Sequence, residues 1–176
     1  IYWFTKFFTG HMGINPTDAI IHELGEFSLR LIILTLLITP LTQIKVLRNI
    51  QNLRRMIGLF AFYYICLHLI SYIVLDHFFN WKFILKDIYK RPFITLGFFA
   101  FLFSVPLMIT SNSLSARKLT YNVWKNLHKL IYLIGPLAGL HYYLLTKADK
   151  REPLIYLALI GLLLFWRIFV YFSKKF

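Results

Sequence analysis

The sequence predicts an all-α membrane protein, a bundle of transmembrane helices, and three observations carry that prediction. Hydrophobic residues fill 59% of the 176 positions and aromatic residues 19%. The apolar residues run in blocks, and a helix needs about 20 residues to cross a bilayer. Only seven acidic side chains are present, and the 20 Lys and Arg cluster in short stretches between the blocks. A water-soluble domain of this length carries more charge and less continuous apolar sequence. The net charge of +13 raises the question of nucleic acid. Basic residues gathered in short clusters between apolar blocks are instead the membrane-protein pattern, so nucleic acid is set aside as a partner.

Five spans follow in order, and in lipid each must be helical because only a helix satisfies its own backbone polar groups there. Ile1 to Phe8 (IYWFTKFF) is too short to cross and reads as the tail of a truncated first helix; the chain shows no cleavable signal peptide. The first complete span runs from about Leu29 to Ile44, with Pro40 near its end. The second runs from about Met56 to Leu75 and the third from about Phe93 to Thr110, with Pro106 inside it. The fourth covers roughly Val123 to Thr146 and contains Gly135-Pro136; the fifth goes from about Pro153 to Phe172. Internal prolines kink such helices, which neighbouring helices then pack around. Lys90-Arg91-Pro92 opens the third span, where proline suits the first turn. There is no repeat and no low-complexity tract, and the connections are too short for a second domain, so residues 1–176 form one domain.

The loops suggest an orientation. The Lys45–Arg55 loop, the Asn112–Lys129 stretch and the C-terminal tail share one side, with eleven Lys and Arg and no acid; Arg167, Lys174 and Lys175 are counted there. The other side has the remaining nine basic residues and all seven acids. The Lys/Arg excess assigns the acid-free side to the cytoplasm.

Six histidines carry the functional reading. His11, His22 and His77 lie in or beside loops and read as solvated. His68, His128 and His141 lie inside spans, where ionisable side chains are costly and by default functional. The competing reading is a neutral imidazole making an interhelical hydrogen bond. Three such residues on two helices, with almost no other polar group at that depth, favour metal ligation. Zinc wants three or four His, Cys or carboxylate ligands, and no carboxylate lies at this depth. Haem iron needs one or two axial ligands and brings its own apolar macrocycle, so one or two b haems fit better. Cys66 is the only cysteine, which excludes an intrachain disulfide and covalent c-type haem attachment.

Depth suggests the pairing. His68 lies eight residues before Asp76 and His141 six before Lys147, which puts both in the outer half at similar height. His128 is thirteen residues before His141, about 20 Å deeper on an ideal helix. A haem between His68 and His141 is therefore the first assignment, with His128 set apart for a second near the cytoplasmic face. The counterpart of His128 on the second span is Arg54, fourteen residues before His68, which cannot ligate iron. Thirteen residues also turn a helix by about 220°, so His128 and His141 point to different sides unless Gly135-Pro136 re-phases the helix.

At this point the chain resembles a known family. TLLITPL (Thr35–Leu41), RRMIGLFAFYYICLHLISY (Arg54–Tyr72), KRPFITLG (Lys90–Gly97), TSNSL (Thr110–Leu114), WKNLHKLIY (Trp124–Tyr132) and HYY from His141 match, in order and spacing, the MsrQ (YedZ) family. These are haem-binding membrane subunits within the ferric-reductase-like transmembrane superfamily. The resemblance implies a multi-pass protein of the bacterial inner membrane that passes electrons from membrane quinones to MsrP, a periplasmic molybdenum subunit that reduces methionine sulfoxide. It implies an electron-transfer subunit of an oxidoreductase system, not the catalytic subunit. It carries the family's haem histidines over to His68, His128 and His141, and it implies FMN as a further cofactor, making the chain a flavoprotein. Arg54, Arg55, Arg117 and Lys118 are candidates to contact a haem propionate or flavin phosphate, against a plainer role in topology and headgroup contact. Six spans are typical of the family, and five plus a truncated first helix agree with that. His22-Glu23-Leu24-Gly25 stands where family members often read His-x-Thr-Gly.

Two other functions stay open. One is a self-contained ferric or oxygen reductase of the same superfamily, which usually adds a cytosolic flavin and nicotinamide domain after the last helix, whereas this chain ends at Phe176. The other is a haem-free membrane scaffold or assembly factor, with its histidines as interhelical hydrogen-bonding groups.

Overall fold

The first described helix, α1 (Pro16–Leu41), begins at a strong local start signal. Asn15 caps it through its side-chain oxygen, Pro16 sits where a missing N–H costs nothing, and Asp18 lies in the first turn. The structure is a computed structural model that describes residues 15–112, 115 and 118–173, within which all regular structure is helical. The tail of the earlier helix expected over Ile1–Phe8, together with His11, Arg117, Lys174 and Lys175, lies outside the described residues.

A basic 3-10 helix (Lys45–Asn52) links α1 to α2 (Leu53–Ser71), whose end widens into a π turn at Tyr72–Asp76. The chain then reverses through Phe78 and Phe79, both in the left-handed region at φ 45° and 61°. Asn80 caps the short helix α3 (Trp81–Lys90), and α4 (Pro92–Ile109) follows at once with proline in its first turn. Helix α5 (Tyr121–Leu127), a 3-10 turn (His128–Leu130) and α6 (Ile131–Leu145) form one run, and α7 (Arg151–Ser173) ends the described chain.

Among the described residues, four helical segments are long and apolar enough to cross a membrane: Pro16–Leu41, Lys45–Asp76, Pro92–Ile109 and Arg151–Ser173. The residues of the fourth expected span form a helical run from Tyr121 to Leu145, divided by a 3-10 turn into pieces that are not among those four. Helix α1 starts well before Leu29 because the polar residues that end the hydropathy signal are partnered. Glu26 and Arg30, one turn apart, pair with each other, and both meet the Tyr156 hydroxyl of α7 at 2.8 Å. Helix α3 was not expected, since ten residues cannot span. It buries Ile84 and Asp87 while exposing Phe83, Leu85 and Tyr89, the character of a helix lying in a membrane interface.

Helix α1 is the central element. It packs on α2, α6 and α7, while α4 packs on α6. Leu29, Ile32, Ile33 and Leu36 of α1 meet Ala61, Ala100, Ile134, Ile160 and Leu163 in the buried core. Large apolar side chains on the outward faces of α7, such as Leu162, Phe165 and Phe169, are exposed, as suits contact with lipid tails.

Arg167 closes the acid-free end of the bundle. The sequence counts it with the tail, but it lies inside α7, where its Nη2 donates to the Leu36 carbonyl at 2.8 Å and its Nη1 to the Tyr132 hydroxyl. The reason lies in α1 itself. The amide that would take the Leu36 carbonyl belongs to the residue four positions on, and that residue is Pro40. Arg167 satisfies the acceptor that Pro40 leaves open.

Candidate metal-binding site

His68 near the end of α2 and His141 in α6 face each other across the acid-bearing end of the bundle. Their ring centroids are 6.2 Å apart with the planes at 78°. Each ring is anchored by a backbone carbonyl on a third or fourth helix. Nδ1–H of His68 donates to Ile21 at 2.8 Å, and Nδ1–H of His141 donates to Phe93 at 2.6 Å. With Nδ1 donating, Nε2 of both rings keeps its lone pair for a metal.

The spacing suits one iron between the rings. A metal–imidazole bond of about 2 Å, with the nitrogen about 1 Å from its ring centre, puts two opposed imidazole centroids roughly 6 Å apart. A cavity of about 330 Å³ adjoins both rings, walled largely by apolar side chains such as Ile65, Ile94, Phe98, Phe101 and Ala138. His22 and Glu26 reach the same cavity. Among the described residues no three His, Cys, Asp or Glu side chains group as a site for a bare metal ion. The residues present therefore fit a metal that needs two axial nitrogens and an apolar pocket, which is the donor set of a b haem.

His128 is elsewhere. It begins the 3-10 turn, donates Nδ1–H to the Trp124 carbonyl one turn back at 3.0 Å, and stacks on the Trp124 indole at 4.1 Å between centroids. The indole is fixed in turn by Nε1–H donating to the Thr110 carbonyl at 3.1 Å. This histidine lines a second cavity of about 500 Å³ with Arg54, Arg55, Ser104, Met108 and Lys125. The geometry thus brings His68 and His141 together, keeps His128 apart, and gathers Arg54 and Arg55 around His128. The helix break between His128 and His141 lies at the 3-10 turn, not at Gly135-Pro136, which stays within α6. Ile32 and Ile65 line both cavities and form the wall between them.

Two features escaped the sequence reading. His77 is not solvated: its side chain is 15% exposed, its ring meets Tyr72 edge-on, and Nε2 lies 3.4 Å from Asp87 and 3.5 Å from Asp76. The carbonyl anchors of His68 and His141 are main-chain atoms distant in sequence, which residue types do not advertise.

Residues 24–139 match the family model described as the ferric reductase like transmembrane component. The chain is 47% identical over 161 residues to the protein-methionine-sulfoxide reductase heme-binding subunit MsrQ of Caulobacter vibrioides, covering 92% of this chain and 77% of that one. The subunit of the same name from Rhodospirillum rubrum is 44% identical over 164 residues, covering 93% and 79%. That from Herminiimonas arsenicoxydans is 40% identical over 169 residues, covering 95% and 78%. No solved structure matches the chain.

Proposed function

The chain belongs to the ferric-reductase-like transmembrane family, among its MsrQ haem-binding subunits, and we propose that it carries electrons across the membrane on haem held between His68 and His141. It is a multi-pass protein of the bacterial inner membrane and a haem-binding subunit of a protein-methionine-sulfoxide reductase. The observation that carries the proposal is the facing pair of imidazoles 6.2 Å apart, each with Nδ1 tied to a helix carbonyl.

When bound, haem supplies a one-electron Fe(III)/Fe(II) couple. The chain does the rest. His68 and His141 would hold the haem iron through Nε2. The Ile21 and Phe93 carbonyls hold the rings in one tautomer and raise their basicity. Apolar side chains form most of the pocket wall, which suits an apolar macrocycle. His128 would hold a second haem in the other cavity, and Arg54 and Arg55, which line that cavity, would pair with its propionates. Arg117 and an FMN site belong to the same proposal, as do membrane quinols as electron donors and MsrP, a periplasmic molybdenum subunit, as acceptor. The acid-bearing end, where His68 and His141 lie, then faces the acceptor.

Purified protein tests this in two steps. A reduced-minus-oxidised spectrum is expected to show b-type bands. Protein reduced by a quinol is then expected to reoxidise faster with MsrP and methionine sulfoxide than with a ferric chelate. Absence of b-type bands from the holo preparation would remove the haem reading, and a preference for the chelate would favour a self-contained reductase.

A further inference from the structure

The outer site is built twice, from parts the sequence does not present as a repeat. In one half, His68 of α2 donates to the Ile21 carbonyl of α1, and Gly25 stands one helical turn after Ile21. In the other, His141 of α6 donates to the Phe93 carbonyl of α4, and Gly97 stands one turn after Phe93. The tie spans 47 residues in the first half and 48 in the second.

Each glycine is where the ring passes. A Cβ on Gly25 would lie 2.9 Å from His68 Cε1 and 3.0 Å from its Nδ1. One on Gly97 would lie 2.8 Å from His141 Nδ1 and 3.0 Å from its Cε1. Carbon atoms in ordinary contact sit about 3.5–4 Å apart, so any side chain there must push the ring aside. The position has a second meaning. Residue i+4 of a helix supplies the amide bonded to carbonyl i. A glycine at i+4 therefore bares the flank of that carbonyl and lets it accept the imidazole N–H as well.

We propose that Gly25 and Gly97 are positioning residues that set the rotation of the His68 and His141 rings about the axis on which they ligate. This rests on the haem reading given above. Neither glycine touches iron. Each acts through its histidine, by admitting the ring to the helix surface and fixing the near-perpendicular planes.

The test compares glycine-to-alanine variants of the full chain, purified with haem, by low-temperature electron paramagnetic resonance and haem content. Near-perpendicular axial imidazoles give a strongly anisotropic low-spin ferric signal. Gly25→Ala and Gly97→Ala are expected to move its largest g value and to lower haem affinity on the order of 10-fold, the usual effect of disturbing a ligand's supporting shell. Gly161→Ala is expected to leave the signal unchanged, since a Cβ there would meet nothing within 4 Å. Gly139→Ala is the packing control. Its Cβ would lie 2.7 Å from Leu157 Cδ2, on the side of α6 away from His141, so it should shift the packing of α6 on α7 without moving the signal. If Gly25→Ala does not accumulate, the same change is read in His68→Gly protein supplied with imidazole, where the untethered ring should make it neutral. Glycine variants indistinguishable from Gly161→Ala, or a Gly139→Ala that moves the signal equally, would overturn this inference alone. A wild-type protein without a bis-imidazole signal would overturn the haem reading as well.

Discussion

Replacing Arg167 by methionine removes the guanidinium that serves the Leu36 carbonyl and keeps most of the apolar stem. A hydrogen bond from a charged donor contributes about 1.5–3 kcal/mol, and an acceptor stranded away from water costs a similar amount. The contact of the guanidinium with the Tyr132 ring, 4.6 Å from its centroid, adds about 0.5–2 kcal/mol. Arg167→Met is therefore expected to destabilise the bundle by roughly 2–4 kcal/mol. The carbonyl's share is isolated with Pro40→Ala, which restores the missing amide and lets Leu36 complete an ordinary helical bond. In that background Arg167→Met should cost less, by a coupling of about 1 kcal/mol or more. Equilibrium unfolding in mixed non-ionic and dodecyl sulfate micelles reads all four corners of the cycle. If the two changes add within about 0.3 kcal/mol, Arg167 does not act through the carbonyl that Pro40 leaves open.

Other parts of the bundle make simpler predictions. Leu36 is fully buried at the centre of the core, so Leu36→Ala should cost about 2–5 kcal/mol in the same unfolding measurement, while Leu162→Ala, on the exposed face of α7, should cost little. Arg54→Ala combined with Arg55→Ala should weaken a haem at His128 and leave the one at His68 and His141, seen as loss of one of two components in a redox titration. Ile84 anchors α3 at 5% exposure, so Ile84→Asp should release that helix, and limited proteolysis of protein in vesicles should then cut near Trp81–Lys90.

Much of this was legible in the sequence because lipid imposes strict rules. Apolar length gave the second, third and fifth spans nearly to the residue: Met56, Phe93 and Pro153 each lie within three residues of the observed helix starts. Depth counting placed His68 with His141 and set His128 apart, because rise along a helix is constant even where phase is not. Phase was the weaker guide. The 3-10 turn at His128–Leu130 has no proline or glycine to announce it. The polar first half of α1 was hidden because hydropathy sees Glu26 and Arg30 as charges, not as partners of each other and of Tyr156. Arg167 shows the same limit, since its role depends on a proline in a helix far away in sequence.

The central claim is that His68 and His141 hold one haem between them and His128 does not share it. Low-temperature electron paramagnetic resonance on three alanine variants tests it most directly. His68→Ala and His141→Ala should each remove the same bis-imidazole low-spin signal, while His128→Ala keeps it. A signal that survives His68→Ala and disappears with His128→Ala would contradict the pairing.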